Sequence, residues 1–191
     1  MVNIFIAYML PDDKRKALEE AAAHVREVFA PEGKDEQFFH TTLLFIGRVE
    51  ESWLPFIKEK MAEIAAHRSP IKIDINKIGY FYNARKRCIK VLYAVPEHIP
   101  DELNELCQQL YEAIGQPLAG KTTPPIAPAR IHFTITKRLK RILSKSDFQS
   151  FIGNVESFSV PVNINNIGLY HCKDLEHRYY REICKYDFQN E

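Results

Sequence analysis

The sequence has no surplus of charge of either sign. Its 26 Lys and Arg stand against 25 Asp and Glu, a net +1, which predicts neither an acidic nor a strongly basic partner for the molecule as a whole. Close cysteine pairs are missing too. Cys88, Cys107, Cys172 and Cys184 form no C-x-x-C, a pattern that reads as reduced cytosolic thiols rather than a disulfide framework. No run approaches the ~18 to 20 apolar residues that a membrane span needs. The apolar opening MVNIFIAYML has no basic n-region and no small-residue cleavage site, and Pro11-Asp12-Asp13 ends it; it reads as a first strand, not a leader. Low-complexity segments and short-period repeats are absent. These absences describe a cytoplasmic chain that engages no membrane.

What is present is apolar matter in quantity. The 191 residues are 46% hydrophobic and 12% aromatic, enough for a sizeable core in one domain or two intimately packed lobes. Strand formers from Asn3 to Leu10 alternate poorly, as in a central strand. Asp12 or Asp13 then caps a helix reaching about Phe29, with Ala17, Leu18, Ala21, Ala22, Val25 and Val28 at helical spacing. A polar loop follows, then an apolar strand ended by Gly47. A second helix runs from about Ser52 to His67. Ile71, Ile73 and Ile75 alternate strictly with Lys72, Asp74 and Asn76, a half-buried strand. Gly79 to Tyr82 and Arg87 to Val95 form a hairpin around Asn83-Ala84-Arg85-Lys86. Pro100-Asp101 opens a third helix to about Ile114. Gly115 to Ala129 is a loop by its four prolines. A strand, a basic turn, a short helix at Lys145 to Ile152 and strands at Ser157–Ile164, Ile167–Cys172 and Arg178–Phe188 complete the chain. With few uniform parallel crossovers, the order predicts mixed α+β with antiparallel pairing rather than a doubly wound fold.

Two stretches carry chemistry. FFHTTLLFIG (Phe38 to Gly47) and RIHFTITKRL (Arg130 to Leu139) each set a histidine two places before a threonine in an apolar strand. Residues i, i+2 and i+4 share a strand face. His40, Thr42 and Leu44 therefore point one way, as do His132, Thr134 and Thr136, with imidazole and hydroxyl about 7 Å apart. One H-x-T alone describes an ordinary core histidine. Seven histidines and six threonines in 191 residues lead to about 0.2 such triplets by chance, and two occur. Imidazole titrates near ~6.5, so one copy can be neutral while its twin is protonated. Phosphodiester cleavage needs that pair: one group removes a proton from water and the other delivers one to the leaving oxygen. The threonine hydroxyls can donate to the non-bridging phosphate oxygens. The arrangement calls for no metal and no cofactor.

His40-Thr41-Thr42-Leu43 and His132-Phe133-Thr134-Ile135 resemble the paired motifs of the 2H phosphoesterase superfamily. The nearest branch is that of the RNA 2′,3′-cyclic phosphodiesterases, historically called 2′-5′ RNA ligases. IFIAYMLP and HTTLLFIGRV resemble that branch's first strand and its H-x-T-L-x-F-L-G-x-V. The resemblance implies a bilobal fold of two pseudo-symmetric antiparallel sheet lobes, helices outside, with one motif per lobe and a central cleft. Residues 1–191 would form that single domain of two interleaved lobes, acting as a monomer. It further implies opening of a 2′,3′-cyclic phosphate on an RNA end or a nucleotide to a 2′-phosphate, with reversible 2′-5′ ligation as a companion activity. One histidine serves as base and the other as acid; the working assignment makes His132 the base and His40 the acid, and the sequence leaves it open. Thr42, Thr134 and Lys137 would hold phosphate.

Two departures stand out. Ile131 replaces the family's usual proline, and Lys137 replaces a frequent arginine, keeping charge but losing bidentate recognition. Lys137 also has the wrong parity for the cleft unless the strand ends or bulges before it. Arg130, Thr136, Phe45 and Tyr82 are further substrate-binding candidates. Phe45 matches a base-stacking position of the family, whereas strand parity points it into the core. Tyr80, Phe81 and Tyr82 could stack on a base, although aromatics in strands more often pack. The Lys137–Arg141 run reads as a solvated turn or as a positive lip for an RNA backbone. His171, Cys172, His177 and Cys184 fit no zinc spacing well. The competing readings are a non-catalytic RNA-binding module and a 2H enzyme for another cyclic or 2′-5′-linked nucleotide.

Overall fold

The computed structural model describes residues 1–23, 25, 39–83, 85, 88–118, 131–136, 145–152, 157–174 and 179–189. In chain order the elements are β1 (Val2–Met9), α1 (Asp12–Ala21), β2 (His40–Val49), α2 (Leu54–Ala66), β3 (Ile71–Asn83), β4 (Cys88–Pro96), α3 (Asp101–Leu110), β5 (Phe133–Thr136), α4 (Lys145–Ile152), β6 (Val160–Ile164), β7 (Asn166–Asp174) and β8 (Tyr179–Asp187). The class is α+β. Two antiparallel sheets carry it, ordered β2-β1-β7-β8 and β5-β4-β3-β6. Each motif strand is thus an edge strand of its own sheet.

Local chemistry explains the helices. Pro11 precedes α1, and Asp12 and Asp13 put negative charge at its amino end, where the helix dipole favours it. Pro100, Asp101 and Glu102 do the same for α3, which buries Leu103, Leu106, Cys107 and Leu110 along one stripe. The helical path then continues as a wider turn through Tyr111–Gly115, matching the expected end near Ile114.

One apolar core spans both sheets. It takes Ile4, Ile6 and Tyr8 from β1, Leu43, Leu44 and Ile46 from β2, Leu92 and Ala94 from β4, and Phe133 and Ile135 from β5. Phe5, Ala7 and Tyr170 form a second, smaller cluster on the other face of β1 and β7. β1 is therefore covered on both faces, which is why its sequence lacks clean alternation.

β3 corrects one expectation. The sequence suggested two strands, 71–76 and 79–82, and the structure has one of 13 residues. The register steps from Ile75↔Pro96 to Lys77↔Val95, leaving Asn76 as the extra residue of a bulge. A bulge resets the two-residue period, so the pattern imitates a strand end. The Asn76 side chain occupies the gap, its Oδ1 accepting the Glu97 backbone N–H at 3.0 Å.

β3 and β6 join in a self-matching way. Ile71 pairs with Ile164, Ile73 with Val162 and Ile75 with Val160. The same stretches carry a repeat, Ile75-Asn76-Lys77-Ile78-Gly79 and Ile164-Asn165-Asn166-Ile167-Gly168. In that alignment Ile73 corresponds to Val162, so the central pair joins a residue to its own counterpart.

Tyr8 ties the sheets together. Its buried ring reaches from β1 so that the hydroxyl donates to the Asn163 carbonyl on β6 at 3.1 Å. Burial, with the Asp13 charge adding to it, raises the phenol from its ordinary 10 to about 12. Between those values the unfolded chain loses this proton while the folded one keeps it, so stability falls as pH rises through that window. Chemical unfolding from pH 9 to 12 should therefore show a steeper alkaline loss in the native chain than in Tyr8→Phe. At neutral pH that variant should be less stable by about 1 kcal/mol, having lost one hydrogen bond. Cys107, raised to about 12 by burial, titrates alike in both proteins, and the difference isolates Tyr8.

Candidate active site

The two motif strands touch. Thr41, wholly buried between His40 and Thr42, accepts the backbone N–H of His132 on its Oγ1 at 3.2 Å, across 91 residues of chain. One histidine is the donor of this bond and the other is the acceptor's chain neighbour. Edge strands from opposite sheets thus meet at the residues the sequence singled out.

Each imidazole is half-buried and packed by rings. His40 lies against Phe5 of β1, centroids 5.4 Å apart, and edge-on to Tyr180 of β8 at 5.2 Å; Phe5 and Tyr180 also touch, at 5.1 Å. His132 lies edge-on to Phe81 of β3 at 4.9 Å and to Tyr93 of β4 at 5.3 Å. Phe81 and Tyr93 close their own pair at 4.5 Å. Neither ring is lost in a core of its own, and each is held on two sides.

A shared irregularity shapes both motifs. In β2 the register steps from Ala7↔Thr42 to Ile6↔Leu44, so Leu43 is extra. In β5 it steps from Tyr93↔Thr134 to Leu92↔Thr136, so Ile135 is extra. Strict alternation fails at the same place in each, directly after the threonine. Leu43 and Leu44 are both buried as a result, and Phe45 pairs with Phe5 on the face that carries His40 and Thr42. The parity expectation that sent Phe45 into the core is thereby overturned: the ring is 47% exposed. A second slip, at Ile46, leaves Gly47 at φ 82°, a conformation that strains any other residue.

The remaining candidates fall out as follows. Thr42 is half-buried on the face of His40. Thr134 is 6% exposed, and it and Thr41 are the buried polar residues among those described. Tyr82 is exposed but pairs with Ile89, while Phe81 pairs with Val91 on the opposite face. Phe81, rather than Tyr82, is the β3 ring that meets His132. Tyr80 packs on Phe148 at 4.6 Å. Arg130 and Lys137 lie outside the described residues, as do His177, the side chain of Thr136 and most of the 137–145 basic run. Cys172 packs with the smaller cluster and Cys184 with the main core. Among the described residues no grouping of His, Cys, Asp and Glu could hold a metal ion, and no helix is long and apolar enough to cross a membrane.

Residue pattern alone did not single out Phe5, Phe81, Tyr93 and Tyr180 as partners of the histidines. The signal for two of their supports lay in the repeated I-N-x-I-G. Gly79 faces the Tyr93 ring and Gly168 the Tyr170 ring so closely that a Cβ would sit 2.3 Å and 2.5 Å from ring atoms. Tyr170 in turn stacks on Phe5 at 5.7 Å and donates its hydroxyl to Glu182 at 3.1 Å. Burial foremost, then the Glu182 charge, keeps that phenol protonated far above its ordinary range.

Residues 9–89 match the model of the LigT-like phosphoesterases. The RNA 2′,3′-cyclic phosphodiesterase of Archaeoglobus fulgidus is 27% identical over 113 residues, 59% of this chain and 61% of that protein, so the chain spans about three fifths of its length there. A Thermus thermophilus structure superposes with a TM-score of 0.77 at 22% identity, covering 99% of both chains. Escherichia coli LigT, solved with 3′-AMP, gives 0.71 at 15% identity, covering 99% of this chain and 98% of its own. With two sheets in the LigT-like arrangement and an H-x-T strand at the edge of each, the chain shares the fold of these structures and resembles the LigT-like phosphoesterases over residues 9–89.

Proposed function

We propose that this chain is a metal-independent phosphodiesterase that hydrolyses 2′,3′-cyclic phosphates, on RNA ends or free nucleotides, to 2′-phosphomonoesters. The observation that carries the reading is the hydrogen bond from the His132 backbone to Thr41, which brings the two H-x-T strands against one another. Two acid–base groups at one seam can act on one phosphorus. In the working assignment His132 takes a proton from water as the oxygen attacks. The bond from phosphorus to O3′ breaks, and His40 gives its proton to that oxygen. Thr42 and Thr134 donate to the non-bridging oxygens as charge develops there. Lys137 and Arg130 are proposed to add positive charge, and Phe45 to stack on the base. The two lobes act as one domain and as a monomer.

The likeness to the Archaeoglobus enzyme supports the choice of substrate, and the 3′-AMP complex of Escherichia coli LigT supports a nucleotide ligand. Incubation with 2′,3′-cyclic AMP should form 2′-AMP. The rate should follow a bell-shaped pH curve and should not change with EDTA. Formation of 3′-AMP would reverse the leaving group, and binding without turnover would favour an RNA-binding module.

A further inference from the structure

We infer that Thr41 is a positioning residue that sets the spacing between the two imidazoles. This rests on the catalytic reading above. Thr41 does not itself face the proposed substrate. β1 pairs it with Tyr8, on the core face, whereas His40 and Thr42 lie on the other. Its hydroxyl is wholly buried, and an unbonded hydroxyl there would be costly. The bond it makes leaves its own sheet and holds the N–H of the other histidine.

The matching place in the second motif shows that the fold does not demand a hydroxyl. Between His132 and Thr134 stands Phe133, fully buried and apolar, paired with Ala94 as Thr41 is paired with Tyr8. The two sheets share an apolar core that holds them together without this bond. What the bond adds is register between two edge strands. His132 stands immediately before β5, at the amino end of its described ladder. A threonine that grips that N–H fixes where the strand, and with it the imidazole, begins. Placement errors of about 1 Å can slow a positioned reaction by ~10²-fold, so such a grip bears on rate more than on binding.

The test uses the full chain with 2′,3′-cyclic AMP and two variants, Thr41→Val, which keeps the shape and removes the acceptor, and Thr41→Ser, which keeps the hydroxyl. Expected for Thr41→Val is a fall in kcat of about tenfold or more, KM within about twofold, and a displaced pH profile. Thr41→Ser should recover most of the rate. Amide hydrogen exchange gives a reading that does not depend on activity: the His132 N–H should exchange at least about tenfold faster in Thr41→Val. An unchanged kcat in Thr41→Val, a loss that serine does not rescue, or unchanged exchange at His132 would overturn the assignment. If the native chain lacks turnover, the phosphodiesterase reading fails by itself, and the exchange rate still decides whether Thr41 holds His132.

Discussion

Alanine at His132 or at His40 should lower kcat on 2′,3′-cyclic AMP by about 10²–10⁴-fold, the range that one positioned acid or base supplies. KM should move far less, because phosphate affinity is proposed to rest on the threonines and on Lys137 and Arg130. Both imidazoles are half-buried beside aromatic rings, so truncation leaves a gap at the edge of the core rather than inside it. Melting curves should show native-like cooperative unfolding. In the proposed mechanism the two residues act on one phosphorus, so their losses should not add: the double variant should fall little below the worse single one. The limbs of the pH profile separate the roles. The variant lacking the acid keeps the limb that reports the base, and the reverse holds for its partner. Undiminished turnover in the double variant would end the catalytic reading.

Gly79→Ala should be nearly as damaging although the residue touches no proposed substrate. An added Cβ would meet Cε2 of Tyr93 at 2.3 Å and Cζ at 2.7 Å. The far end of a tyrosine usually swings away at little cost. This one is hemmed in by Phe81 at 4.5 Å and by the His132 ring at 5.3 Å. The push therefore arrives at the imidazole. We expect a stability loss of about 1–3 kcal/mol, typical of overpacking, and a fall in kcat of roughly tenfold or more. Adding Tyr93→Leu to Gly79→Ala should restore part of the activity by opening space, a coupling that a double-mutant cycle measures. Gly168→Ala is the comparison. Its Cβ would press Tyr170, which reaches His40 through Phe5, so a similar stability loss should come with a smaller loss of rate. Equal rates in native and Gly79→Ala proteins would show that Tyr93 does not orient His132.

The sequence made the motif histidines and the α+β class readable because apolar runs, caps and turn residues are local signals. Phe45 shows where such reading stops. Its face depends on whether Leu43 is accommodated as an extra residue against β1, and that is decided by pairing with a strand more than thirty residues away. Asn76 misled in the same manner, making one strand look like two. The aromatic neighbours of His132 come from β3 and β4, and aromatic content alone does not say which of Tyr80, Phe81 and Tyr82 turns to the histidine. Thr41 was visible only as the middle letter of a motif; its bond to His132 belongs to the meeting of two sheets. The repeated I-N-x-I-G stood in the sequence unread, and it carries the matching glycines.

The β3–β6 junction joins two stretches that resemble each other. Because Ile73 pairs with its own counterpart Val162, and the flanking pairs exchange under the same alignment, either half offers an edge that fits a duplicate of itself. The ladder therefore has a local two-fold character: exchanging the two strands returns the same set of partners. That likeness stops short of the motif centres, where Thr41 stands in one strand and Phe133 in the other.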